Sequence, residues 1–139
     1  MSVIDARVAR FLDEIPVGVL ATTRRDSGIR QSVVYFVRDG DRILVSTESK
    51  RGKARDAERV PNASLCVQSP TKPYASVTVE GKARIVREGI GPPTARIIER
   101  ITGNVAKPAS DQELREVDRV ILELDVTRVY GASYLPDAT

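Results

Sequence analysis

The chain has 139 residues, of which 41% are hydrophobic and 29% charged, and a formal net charge of +3. These proportions fit one globular domain spanning 1–139 and exclude collagenous, low-complexity and membrane-spanning classes. There is no histidine and a single cysteine, Cys66. That excludes Ser-His-Asp and Cys-His catalysis and an intramolecular disulfide, and argues against a zinc site. An enzyme made from this chain would have to take its chemistry from a bound cofactor.

In chain order, Ile4, Val8, Phe11, Leu12 and Ile15 recur at helical spacing, which predicts a helix over 3–14 with one apolar stripe. Ser2 and Asp5 sit in capping-box positions and Pro16 stops the helix. The charges spread through 1–16 argue against a secretory leader. Residues 17–23 read as a buried strand and 26–28 as a turn. Residues 31–37, rich in β-branched and aromatic side chains, read as one strand. Tyr35 and Phe36 alternate there, so one is expected in the core and the other is open to a ligand. Asp39-Gly40 makes a tight turn into a third strand, 42–47.

A basic helical turn follows, with Lys50, Arg51, Lys53, Arg55 and Arg59 against Glu48, Asp56 and Glu58. On the residues alone it reads first as a solvated face laced with ion pairs. Asp56 is then a surface charge whose removal leaves anion affinity equal or slightly higher. Pro61-Asn62 breaks the helix. Strand 64–68 puts Leu65 and Val67 on one face, with Cys66 expected to be a buried packing residue. Residues 76–86 alternate cleanly, with Gly81 marking a bend or bulge. Pro92-Pro93 opens a helix with Ile97, Ile98 and Ile101 as its apolar face and Gly103 as its stop. Ser110 and Glu113 have capping-box spacing, and 120–126 alternate as a last strand. Tyr74, Tyr130 and Tyr134 are expected at a surface or interface. About six strands joined by antiparallel hairpins, with helices at the periphery, define a mainly β class and a small barrel.

The ordered series "VGVLATTRRDSGIRQSVVYFV", "DGDRILVST", "KRGKAR", "ERVPNASLCV" and "YASVTVEGKARIV" resembles the flavin- and deazaflavin-binding split β-barrel family. Pyridoxamine 5'-phosphate oxidase is its best-known member, and the small actinobacterial proteins that use coenzyme F420 are the branch most resembled. The resemblance covers about residues 8–88 and, more loosely, "VDRVILELDVTRVYG". It implies a six-stranded antiparallel split barrel with peripheral helices. It also implies a homodimer with the cofactor in the groove between the chains.

By the family's spacing Lys53 falls on the phosphate-binding lysine and Arg55 on a nearby basic position. Ser46 and Thr47 match the polar strand end, and Gln31, Ser32, Val33 and Val34 match the strand that lines the flavin-like ring, partly through backbone. Gly52 stands where relatives often carry Ser or Arg, and Asp56-Ala57 where Asn-Leu is common. Either Lys50 or Arg51 would supply the second phosphate contact. Physical chemistry points the same way, because a helix start with Lys and Arg nearby attracts an anion.

The resemblance therefore implies a cytoplasmic F420-dependent oxidoreductase passing hydride between the cofactor and a small organic acceptor. The alternative is an FMN oxidase or reductase of the same fold, with a non-catalytic cofactor carrier after it. Nucleic acid and membrane are not expected as partners: four Tyr and two Phe in the whole chain make a poor stacking platform, and no apolar run spans a bilayer.

Overall fold

The computed structural model describes residues 2–137. In order it contains α1 (Ala6–Glu14), β1 (Val17–Thr23), β2 (Ile29–Tyr35), β3 (Val37–Asp39), β4 (Arg42–Glu48), α2 (Gly52–Arg59), β5 (Asn62–Gln68), β6 (Ser76–Val86), α3 (Gly91–Thr102), α4 (Asp111–Glu116) and β7 (Arg119–Ser133). The strands form one seven-stranded antiparallel sheet in the order β2-β1-β5-β6-β7-β4-β3. Its two outermost strands, β2 and β3, are consecutive in the chain, so the sheet curls round and meets itself at Phe36. The result is a split barrel with peripheral helices.

The sequence pattern read 31–37 as a single strand, which gave a count of six. The chain instead bends at Phe36. That side chain is wholly buried, and its N–H donates to the Pro16 carbonyl at 3.2 Å. Val37 then restarts pairing on a new partner, Leu44. The seventh strand is the product of this bend.

Alternation explains what each strand buries. Ile43 and Val45 of β4 point into the barrel with Phe36, Leu65, Val79, Leu122 and Leu124, and α1 closes that core with Val8, Phe11 and Leu12. Leu44 and Ile121 point the other way and meet Ile90, Ile97 and Leu114 under α3 and α4. Each large apolar side chain so buried contributes about 1.5–3 kcal/mol. The bulge expected at Gly81 is present: Glu80 pairs with Arg128 and Gly81 with Val126, leaving Thr127 as the extra residue of β7. A Cβ on Gly81 would stand 1.9 Å from the Asp125 carbonyl oxygen, so only glycine fits this approach.

Other local expectations need correction. Asp5 alone caps α1, accepting from the Val8 N–H at 2.9 Å. Ser2 instead donates to Asp41, whose carboxylate also takes the Val3 and Ile4 N–H groups and ties the N-terminal segment to the β3–β4 turn. Of the three isoleucines of α3 only Ile97 is buried, beside Ala95 and Thr94; Ile98 and Ile101 are exposed, because α3 rests on the sheet along a narrower stripe than three isoleucines suggest. Cys66 is exposed, since Leu65 and Val67 take the inward side of β5 and leave it on the outer face. The Ser110–Glu113 capping box forms as expected, and Gly103 ends α3 in the left-handed region at φ 78°. No described helix is long and apolar enough to cross a membrane.

Candidate functional site: a cation-lined groove at α2

α2 leaves β4 with a strong bias of charge. Its N-cap is Arg51, whose side chain makes no capping bond, so among the described residues no cap side chain occupies the first N–H groups of the helix. What pins the helix is an acid in its middle. Asp56 is only 2% exposed. Its Oδ2 accepts from Arg30 Nε of β2 at 2.7 Å and from the Thr22 hydroxyl of β1 at 2.8 Å, and Arg59 lies 3.5 Å from its other oxygen. Burial alone would raise this carboxyl, but the bonds from Arg30 and Thr22 outweigh it and hold it below its ordinary value. Asp56 is therefore a buried anchor and not the surface charge that the sequence suggested.

Beside it lies a groove of about 660 Å³ lined by Arg25, Arg30, Lys50, Gly52, Arg55 and Arg59, with Asp56 and Glu58 as the opposing acids. Asp56 is already engaged from three sides. Glu58 reaches Arg87, outside the groove lining, at 3.4 Å. The groove therefore holds more positive than negative charge on its own walls.

The sequence-derived residues divide around it. Lys50 and Arg55 line the groove. Arg51 and Lys53 do not. Arg51 reaches Glu48 at 3.7 Å, and Lys50 reaches the same carboxylate at 3.3 Å. Lys53 is half-buried on the adjacent flank. Burial, then the charges of Arg51, Arg119 and Arg30, push its ammonium below the ordinary value, with Glu48 opposing weakly. A lysine held among like charges would gain from a bound anion.

Ser46 and Thr47 are neighbours on β4 and point to opposite faces. Thr47 turns inward beside Val45 and is buried, while Ser46 is half-buried on the side of Glu48. A single ligand meets at most one of them through its side chain. On β2, Val34 packs in the core and Val33 is 76% exposed, with Ser32 half-buried.

The ladder to β1 fixes the backbone as well. Arg24 N–H donates to Gly28 and Phe36 N–H to Pro16, and the alternation between these bonds turns Arg30, Ser32 and Val34 toward β1. The backbone groups of Ile29, Gln31, Val33 and Tyr35 face the open edge of the sheet.

Arg25, Arg30 and Arg119 were missed. For Arg30 a signal existed: alternation along β2 places it on the same side as Val34, and a charge on the inward side of a strand requires a buried partner. Starting the strand at 31 hid it.

A groove along one helix with more cations than acids, on a split barrel, can attract an anion such as a phosphate. The chain is a member of the pyridoxamine 5'-phosphate oxidase family, whose model matches residues 4–133. Among solved structures it resembles an F420 reductase at 28% identity, with a TM-score of 0.71 over 87% of this chain and 94% of that one. It also resembles a conserved hypothetical protein of Mycobacterium tuberculosis at 25% identity, with a TM-score of 0.74 over 93% of this chain and 82% of that one. A heme storage protein of Vibrio cholerae shares the fold at 16% identity, with a TM-score of 0.68 over 94% of each chain. No curated protein sequence matches.

Proposed function

We propose that the protein is an F420-dependent oxidoreductase acting on a small organic acceptor. The observation that carries this reading is the cation surplus at α2, in a chain 28% identical to an F420 reductase. Bound there, the deazaflavin would supply hydride transfer. The chain's own part is binding and placement. Lys50 and Arg55 on the groove wall hold the anionic end, with Lys53 and Arg51 reaching it from beside the groove, together with N–H groups at the start of α2 and a hydroxyl from Ser46 or Thr47. The open edge of β2 offers the backbone of Gln31 and Val33 to the ring, beside Ser32 and Val34. FMN is the alternative, since its phosphate suits the same cations. Lys50 and Arg51 beyond the single phosphate favour F420, whose tail is itself anionic.

We further propose a homodimer. Val33, Val19, Cys66, Thr78 and Tyr130 are paired in one row across β2, β1, β5, β6 and β7. Val33, Val19 and Tyr130 of that row, with Ile29 and Tyr35, make an apolar patch on the outer face of the sheet, and Ile29 is 72% exposed. A second copy would bury that face and exclude water from the β2 edge. Sedimentation equilibrium at micromolar concentration should then give twice the 15.2 kDa chain mass; a 15.2 kDa species alone would remove the dimer.

Titration with F420 and FMN side by side, read by absorbance and fluorescence, tests the cofactor. F420 is expected to bind more tightly. Tighter FMN binding, or protein purified yellow with a flavin spectrum, reverses the order.

A further inference from the structure

Gly52 stands at the first position of α2, in a helix whose glycine has no left-handed φ to justify it. No backbone angle at this position calls for glycine, so its presence needs another reason. The reason is steric. A Cβ there would stand 2.3 Å from Arg30 Cζ, 2.5 Å from Nη1 and 2.6 Å from Nε. The guanidinium of a β2 residue lies over the start of α2, in the space where a side chain on Gly52 would begin.

It is also held there. Arg30 Nε donates to Asp56, which the Thr22 hydroxyl fixes from the other side in a buried setting. Among the described residues, Asp56 is the acceptor that the structure pairs with Arg30, and the bond uses Nε. The terminal nitrogens Nη1 and Nη2 remain on a side chain that is 39% exposed and lines the α2 groove. An arginine serving only to neutralise Asp56 would gain more from presenting two parallel N–H groups to the carboxylate. This one gives a single N–H and keeps its fork for the groove.

We propose that Arg30 is an anion-contacting residue of the α2 groove, reaching from β2 into the place of the side chain that Gly52 lacks, and that buried Asp56 is its positioning residue. The ligand group is a phosphate oxygen pair, for which the guanidinium fork has the matching spacing. The inference rests on the reading of the groove as the site of a cofactor phosphate. It assigns specificity for that phosphate to a residue outside the basic turn.

The test compares cofactors with and without phosphate: FMN against riboflavin, and F420 against its phosphate-free chromophore. It uses wild type, Arg30→Gln, Gly52→Ala and Lys53→Ala, with melting temperature measured in parallel. Gly52→Ala is the cleaner variant, because the atoms it meets are the far end of a flexible side chain. The protein stays folded while the guanidinium is displaced.

Arg30→Gln and Gly52→Ala are both expected to reduce the preference for the phosphate-bearing member by about fivefold or more, without weakening binding of the phosphate-free one. A purely structural Arg30 would affect both members alike. If both variants keep the wild-type preference while Lys53→Ala loses it, Arg30 is not a ligand residue and the phosphate site stands without it. If wild type shows no preference in either pair, the phosphate site falls and this inference falls with it.

Discussion

Two arginine clusters sit on this barrel, one at α3 and one at α2, and they serve opposite ends. At α3 the guanidinium groups are bonded to protein acceptors. Arg100 donates to the carbonyls of Phe36, Leu12 and Asp13 and lies 5.0 Å from the centre of the Phe36 ring. Arg38 grips the Asp13 carboxylate with two nitrogens and the Gly40 carbonyl with the third, and Arg96 donates to the Arg38 carbonyl. The cluster closes the C-terminal end of α1 and the bend at Phe36, a structural use of charge. At α2, Arg25, Lys50, Arg55 and Arg30 share a groove whose acids are already engaged. Counting arginines would rank the two clusters alike. Counting acceptors separates a clamp from a groove with cations to spare.

That contrast breaks most easily at Asp56, where the α2 cluster is also structural. Asp56→Ala should lose about 2–4 kcal/mol in urea denaturation, because it strands a buried Thr22 hydroxyl and removes the acid of Arg30, whose own charge stays partly solvated. A loss below about 1 kcal/mol would mean that the anchor is not buried in solution. The carboxyl also sets an acid limb. Its folded pKa lies below the ordinary 3.8, so its stabilisation is present above that value and is lost as pH falls through the folded value. Asp56→Asn should flatten this limb of the stability–pH curve.

Arg100→Ala should come next, at about 2–3 kcal/mol, since it leaves three carbonyls and an aromatic face without their donor. Cofactor affinity should stay unchanged. A variant that melts normally yet binds poorly would exchange the roles of the two clusters.

Lys53→Ala sharpens the contrast from the other side. Affinity for the phosphate-bearing cofactor should fall about tenfold to a hundredfold, with stability equal or slightly raised. The sign follows from its lowered pKa: the fold disfavours the charged lysine, and that penalty is relieved as pH rises toward the ordinary 10.5. Anion binding should raise the pKa again, so calorimetry in buffers of differing ionisation heat should detect proton uptake at alkaline pH. Uptake that persists in Lys53→Ala would assign it to another group.

Arg55→Ala should give the smallest effect. Arg55 is exposed on the groove wall, so a loss of a few-fold that vanishes at high salt is expected. A loss that persists at high salt would mean that Arg55 is desolvated against the ligand rather than exposed beside it.

The amino-acid sequence by itself determined what depends on near neighbours. Alternation along 76–86 and 120–126 assigned the inward residues, because a strand's side-chain period is local. Ser110 and Glu113 specified their capping box across three residues. The basic turn was legible because Lys50, Lys53 and Arg55 lie within six positions of one another. Tertiary structure decided whatever depended on distant register. Ser2 chose Asp41 over the local cap because the β3–β4 turn brings a carboxylate with three donors to it. Cys66 became exposed because β5 turns one face outward. The strand at 31–37 became two because Phe36 is drawn into the core where β2 meets β3. Asp56 and Arg30, 26 positions apart, became partners only when α2 packed across β1 and β2. Periodicity reports which side of its own element a residue faces. It carries no information about which charge waits on the other side, and that pairing is what separates an anchor from a solvated acid.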